Sequence, residues 1–174
     1  MPKSKKEITK NERKILDILM ENARQSLIEI SEKTGLSRQT VQKTLQKLEK
    51  DHVIWGYQAV ADEQKKGLTT YVVLIKRTTK STDENTVEAI VSRKLENMGL
   101  NIGVEIKTSF YCNGNFDWVI HLTAQDVRSA KKFAELLKTI YKNLISDIQI
   151  LEILFVVKKG GILNPDIKNL KQFL

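Results

Sequence analysis

Residues 37–47 read SRQTVQKTLQK. Apart from Val41 and Leu45, this stretch offers only hydroxyls, amides and cations: Ser37, Arg38, Gln39, Thr40, Gln42, Lys43, Thr44, Gln46 and Lys47. No carboxylate appears before Glu49. Amides pair bidentately with adenine edges, and Arg or Lys with guanine. Hydroxyls and ammonium groups reach phosphates, which position a protein without reading sequence. A face of this chemistry suits the major groove of double-stranded DNA. Ser26, another hydroxyl at a helix start, completes the candidate DNA-binding set.

A second constellation lies at residues 111–118, YCNGNFDW. Asn113-Gly114 is the strongest hairpin signal in the chain and predicts a two-residue type I′ turn. Asp117 follows, between Phe116 and Trp118. Its carboxylate is either solvated beside a turn or holds something, and the residues alone leave both readings open.

Other chemistries find little support. No Ser-His-Asp set, metal cluster or phosphate-cradling glycine loop is visible, so neither a metal nor a cofactor is expected. Cys112 is the only cysteine, which excludes an intrachain disulfide; in an apolar strand it reads as a small core residue. Over 174 residues the net charge is +8, which favours anionic partners. No run approaches the ~18 apolar residues of a membrane span. The basic start, MPKSKKEITK, has no apolar stretch behind it and is not a secretory signal. An intracellular, cytoplasmic protein is expected, with no membrane partner.

The elements that position the first constellation are three helices. One is predicted from about Lys10 to Asn22, with Ile15, Ile18 and Leu19 on its stripe. Ser26 with Glu29 forms a capping-box signature, so a second helix starts at Leu27. Gly35 stops it, and Ser37 opens a third helix to about Lys50. In that helix Val41, Leu45 and Leu48 face inward. Helix, tight glycine turn, helix is the helix-turn-helix plan, in which the second helix of the pair reads DNA. Residues 53–62, VIWGYQAVAD, predict a strand or hairpin serving as a wing, with Trp55 and Tyr57 in a core or interface.

The remainder predicts strand (69–79), helix, strand (102–112), strand (116–123), helix, strand (148–157). The first of these helices is capped by Asp83 and ends at Gly99. The second runs from its cap Asp126 to about Asn143. Alternation puts Ile102, Val104, Ile106, Thr108 and Phe110 on one strand face, and Glu105, Lys107 and Ser109 on the other. This βαββαβ order is the ferredoxin-like plan. YVVLI and LEILFVV are apolar at almost every position, so their strands read as buried on both faces. Two helices cover one face only, and a second copy is the simplest cover for the other. Such a dimer would match a palindromic site. The fold class is therefore α+β. Residues 1–62 are expected to form a winged helix-turn-helix and 63–160 a ferredoxin-like domain for oligomerisation, to which the family resemblance below adds a linking strand and effector binding. In the tail, 161–174, Asn164 and Pro165 predict a short helix.

From about Ile8 to Lys158 the chain resembles the Lrp/AsnC (feast/famine) family of transcription regulators. The resemblance rests on NERKILDILMENARQSLIEISEKTGLSRQTVQKTLQKLEKDHVIWGYQAVAD and on NGNFDWVIHLTAQD. The second stretch is similar to the family's Gly-x-Tyr-Asp hairpin. It implies a homodimer, often assembled to tetramers or octamers, that binds promoter DNA. In many members an amino acid acts as effector. By position, Ser37 to Lys47 would read DNA, and Gly114, Asn115, Phe116 and Asp117 would wall an effector pocket. His52 replaces a glycine usual after the reading helix, where positive φ is needed. Thr44 stands where an Arg is common. Ile148 and Ile150 stand where many members carry hydroxyls facing the pocket.

Two other functions stay open on the residues. One is an architectural DNA binder with little sequence preference. The other is an enzyme similar to the siroheme decarboxylases, which share this fold and would need Arg77, Arg93, Arg128 and His121.

Overall fold

The computed structural model describes residues 7–80 and 84–174, without the side chains of Asn85, Thr86 and Ala89. The expected cap Asp83 lies outside the described residues. The chain divides into two compact units, one of residues 1–60 with 157–169, the other of 61–156 with 170–174.

The first unit begins with α1 (Lys10–Glu21), α2 (Leu27–Thr34) and α3 (Arg38–Lys50). Ile15, Leu19, Ile30 and Val41 form its core, with Leu27, Leu36, Leu45 and Ile54 packed against them. Each helix is started by a side-chain cap. The Ser26–Glu29 capping box forms as expected, and Ser37 caps α3. A second box, Thr9 with Glu12, starts α1. Its Thr-x-x-Glu signal is in the sequence, but the helix stripe alone does not draw attention to it. Glu12 does more than cap. One carboxylate oxygen accepts from Thr9 N–H at 2.6 Å, and the other accepts from the Lys47 ammonium on α3. The carboxylate is nearly inaccessible, and these donors, Lys47 first, lower its pKa to about 2.

His52 has φ 55, so it does occupy the left-handed backbone that closes α3. The expected strand or hairpin at 53–62 does not form, and those residues carry no ladder. A strand requires a second backbone to pair with, and the described residues supply none there. Trp55 is 93% exposed and Tyr57 about half exposed, so neither belongs to this unit's core. At the far end of the chain, β5 (Lys158–Lys159) and β6 (Ile162–Leu163) make a small hairpin. A 3₁₀ turn over Ile167–Gln172 follows, where the tail helix was expected. Asn164 starts it, its carbonyl accepting from Ile167 N–H.

The second unit is a four-stranded antiparallel sheet in the order β2-β3-β1-β4, the ferredoxin-like arrangement. Its strands are β1 (Thr69–Arg77), β2 (Val104–Tyr111), β3 (Trp118–Ala124) and β4 (Ile145–Glu152). Tyr71, Val73, Ile75, Ile120 and Leu122 meet Leu95, Ala130, Phe133 and Leu137 in one core beneath the helices. The opposite face is only half buried. Val72 pairs with His121 and Leu151, and Leu74 with Val119 and Gln149. Within this chain, then, YVVLI is buried fully on one face only. β4 starts earlier than expected and leaves the sheet at Ile153, whose N–H makes the last bond to Thr70 O. Asp126 caps α6 (Val127–Ile140) as expected.

Four expectations fail here for identifiable reasons. The single helix before β2 is two, α4 (Glu84–Val91) and α5 (Lys94–Asn101), broken where Arg93 adopts φ 56. The break changes the inward face, so Val87 and Val91 lie outside while Leu95 is buried. Gly99 is not a stop but sits inside α5, where an added Cβ would lie 3.2 Å from Val104 O. Strict alternation fails along β2 because its register shifts between Ile106 and Thr108. A bulge moves every later side chain to the other face. Ser109 and Tyr111 consequently join Trp118 on the helix side, and Phe110 lies opposite Val119, about half exposed. Cys112, just past the strand, is exposed rather than core.

The Glu12 carboxylate is held charged by the fold, so its contribution is complete above its ordinary value of 4.5 and lost as pH falls toward about 2. Urea unfolding of wild type and Glu12→Gln across that window should show a stability gap that is widest near neutrality and closes toward pH 2. A gap of constant size would refute the ion pair's role in fastening α3.

Candidate nucleic-acid interface

Both ends of the α2–α3 turn are fixed by small polar side chains. Gly35 takes φ 73, the left-handed conformation that ends α2. Thr34 Oγ1 donates to Ile30 O at 2.7 Å, and Ser31 Oγ to Leu36 O at 2.5 Å. Ser31 and Thr34 are contributors that the sequence reading passed over, and hydroxyls flanking a turn glycine were their only signal. With Val41 and Leu48 buried and Leu45 half buried, α3 can turn only its opposite side outward.

That side exposes Arg38, Gln39, Thr40, Gln42, Lys43, Gln46 and Lys47, while Thr44 is half buried. Gln39, Gln42, Lys43 and Gln46 follow i, i+3, i+4, i+7 spacing and so share one face. The hydroxyls are partly committed. Ser37 Oγ accepts from Thr40 N–H at 3.1 Å and lies 2.8 Å from Thr40 Oγ1. Ser26 Oγ accepts from Glu29 N–H, while the Ser26 N–H on the Glu29 carboxylate holds that group's pKa below its ordinary value. Lys47 is tied to Glu12, which raises its own pKa. Arg38 and Lys43 make no ion pair among the described residues. The first acid on the helix, Glu49, is occupied by the Tyr57 hydroxyl at 2.9 Å.

The second constellation has a different geometry from the one expected. Asn113 is not in positive-φ backbone, so the two-residue type I′ turn does not form. Instead Cys112 N–H donates to Asp117 O at 2.8 Å, closing a four-residue loop, Asn113–Phe116. Gly114 and Asn115 are exposed, Phe116 and Asp117 half buried. Asp117 is bound to β1 twice. Its N–H donates to Ile75 O at 3.0 Å, and its Oδ2 accepts from Arg77 N–H at 2.7 Å. Beside it Trp118 stacks on Tyr111, with ring centroids 5.3 Å apart, and donates to Ser109 Oγ at 2.7 Å. Ile148 and Ile150 pack into the core beneath the helices, contrary to the expectation that they face a pocket. His121 is half buried on β3, and Arg77, Arg93 and Arg128 stand on β1, at the start of α5 and on α6.

Residues 8–54 match a family model described as winged helix-turn-helix DNA-binding. An uncharacterised HTH-type transcriptional regulator of Pyrococcus furiosus is 33% identical over 150 residues, covering 85% of this chain and 92% of that protein. Among solved structures, an AsnC family transcriptional regulator from Agrobacterium tumefaciens superposes with a TM-score of 0.63 at 22% identity, over 91% of this chain and 98% of its own. A transcriptional regulator from Neisseria meningitidis, solved as a complex with L-Met, gives 0.64 at 20% identity, over 97% of this chain and all of its own. No helix among the described residues is long and apolar enough to cross a membrane. With its helix-turn-helix, its antiparallel sheet and this kinship over 85% of its length, the chain belongs to the Lrp/AsnC family of transcription regulators.

Proposed function

We propose that this transcription regulator reads base sequence with α3 and does so as a two-fold dimer. The observation that carries the reading is the outer face of α3, free of acids before Glu49, where Arg38, Gln39, Gln42, Lys43 and Gln46 stand exposed on a helix fixed at both ends. An amide-rich face supports base readout over purely electrostatic packaging of DNA, because amides add little to phosphate attraction. Ser26, Ser37 and Thr40 serve first as caps and reach phosphates with their remaining capacity.

Dimerisation is supported by two surfaces left open, each within its own unit, among the described residues. The helix-free side of the sheet presents Val72, Leu74, Phe110, Val119 and Leu151. The unpaired stretch 54–60 presents Trp55 and Tyr57. A second copy would cover the first with the same face and offer the second a backbone to pair with. Larger assemblies, tetramer or octamer, fit the family pattern.

An amino-acid effector at the 113–116 loop is supported by family membership and by the L-Met complex of the Neisseria neighbour. In this reading Gly114, Asn115 and Phe116 face the ligand, and Asp117 holds their loop in place, since one of its carboxylate oxygens is taken by Arg77 N–H.

Binding of the full chain to its own promoter region and to a scrambled duplex should differ, with the preference growing as salt rises. Equal affinity at every salt concentration would favour the architectural role. Arg38→Ala should cost ~1–3 kcal/mol and relax the preference, whereas Lys43→Ala should weaken both duplexes alike if it contacts phosphate. Both variants should remain dimeric by sedimentation.

Asp117→Ala should lower the unfolding free energy by ~1–3 kcal/mol, since it leaves Arg77 N–H without its acceptor. Asp117→Asn keeps an acceptor oxygen and should recover most of that loss. A stable Asp117→Ala that no longer responds to amino acids would instead make the carboxylate a ligand contact.

A further inference from the structure

We infer that the C-terminal hairpin is a second DNA contact, a basic wing that grips phosphates beside the site read by α3. The inference rests on the DNA-binding reading above and adds a contact outside the helix-turn-helix.

The hairpin is rigid by construction. Gly160 and Gly161 take φ 54 and 83, and positive φ at both central residues is what a two-residue type I′ turn demands. The register follows, with Lys159 opposite Ile162 and Lys158 opposite Leu163. Asn164 N–H donates to Val157 O at 3.0 Å and closes the base of the hairpin. The Asn164 side chain then accepts from Asp166 N–H at 2.8 Å, which starts the 3₁₀ turn. A surface already ordered loses little entropy on binding.

It is also anchored to the reading unit. Residues 157–169 belong by their contacts to the unit of residues 1–60. The seat is Val60: a Cβ added to Gly160 would lie 2.9 Å from Val60 Cγ2. The eight residues from His52, at the end of α3, to Val60 span at most roughly 26 Å at ~3.3 Å each. One turn of DNA is ~34 Å, so a duplex held by α3 lies within the hairpin's reach.

Charge identifies the occupant. Residues 157–169 carry Lys158, Lys159 and Lys168 against a single acid, Asp166. Lys158 and Lys168 are exposed and make no ion pair among the described residues. On α3, meanwhile, Lys47 is held by Glu12. Lys158 on the hairpin with its bare Gly-Gly tip and Lys168 on the 3₁₀ turn behind it offer charge without base-reading groups, which suits phosphates rather than base edges.

The test is the slope of log affinity against log salt for the full chain on its promoter duplex. Replacing Lys158 and Lys168 together by Gln should make that slope shallower by about 1 to 2, with the preference over scrambled DNA unchanged. Gly160→Ala, which collides with Val60 and strains φ, should shift the slope the same way while circular dichroism stays native. Arg38→Ala serves as the contrast, since it should reduce the preference. Ile162 and Leu163 are also exposed on this hairpin. An unchanged slope together with a smaller particle would make the hairpin a contact between copies and overturn the inference. An unchanged slope alone overturns it equally and leaves the α3 reading intact. No binding of wild type to any DNA would remove both.

Discussion

The DNA-binding unit is fastened at the carboxylate of Glu12. One oxygen satisfies the first turn of α1 and the other takes the ammonium of Lys47, 35 residues further on. Helix orientation in so small a unit is otherwise set by a handful of side chains, Ile15, Leu19, Ile30 and Val41. Apolar contacts tolerate some sliding, whereas a hydrogen-bonded ion pair with a directed geometry does not. The buried stripe of Val41 and Leu48 sets which side of α3 faces outward, and the pair ties the C-terminal half of that helix to α1. A carboxylate of the DNA-binding unit is therefore spent on a cation of the reading helix. The unit gives up part of one positive charge on the helix proposed to read DNA.

The helices of this unit were legible because their signals are local. A Ser followed by Glu, a Gly in left-handed backbone and a stripe at i, i+4, i+7 each act within a few residues, and all three hold here. The errors lie where a local rule met a non-local event. A one-residue bulge in β2 exchanged the two faces beyond Lys107, which no alternation count detects. The left-handed Arg93 broke a helix whose apolar pattern runs on without a gap. Residues 53–62 carry strand composition, but composition does not supply a partner strand. The candidate reading face was legible because exposed positions follow from buried ones. The commitments of Ser37 to Thr40 and of Lys47 to Glu12 were not, since they depend on how far side chains reach.

Asp117 shows why residue type and position do not by themselves make a ligand contact. It lies at the family's loop position, with a carboxylate a charged ligand could use. Its bonds run to the backbone of β1, however, through its own N–H to Ile75 and through Oδ2 to Arg77. These bonds hold the loop where the antiparallel pairing of β1 and β3 begins. The remaining carboxylate oxygen and the exposed loop residues Gly114 and Asn115 are what such a site has left to offer. A loop anchored this firmly can present backbone groups at fixed positions, which is the arrangement a small zwitterion requires.

Two features of the lone chain point to the same completion. The helix-free sheet face carries Val72, Leu74, Val119, Phe110 and Leu151 beside His121 and Gln149 and is only half buried among the described residues, and the stretch after α3 has strand-forming residues without a ladder there. Each is costly in water for a different reason, the first through exposed apolar area, the second through backbone ordered without pairing. Association of two copies, as proposed, would relieve both. It also changes the energetics of recognition. On α3, Arg38, Lys43 and Lys50 are the cations outside any ion pair among the described residues, so in the proposed reading a single copy would have few strong contacts on that helix with which to hold a half-site. Joined to a second copy, the same weak head binds at the high effective concentration set by its partner, and two modest half-sites become one strong site. In the proposed dimer, sequence discrimination would belong to the pair, and anything that altered how the copies are held together would alter DNA binding without touching a base contact.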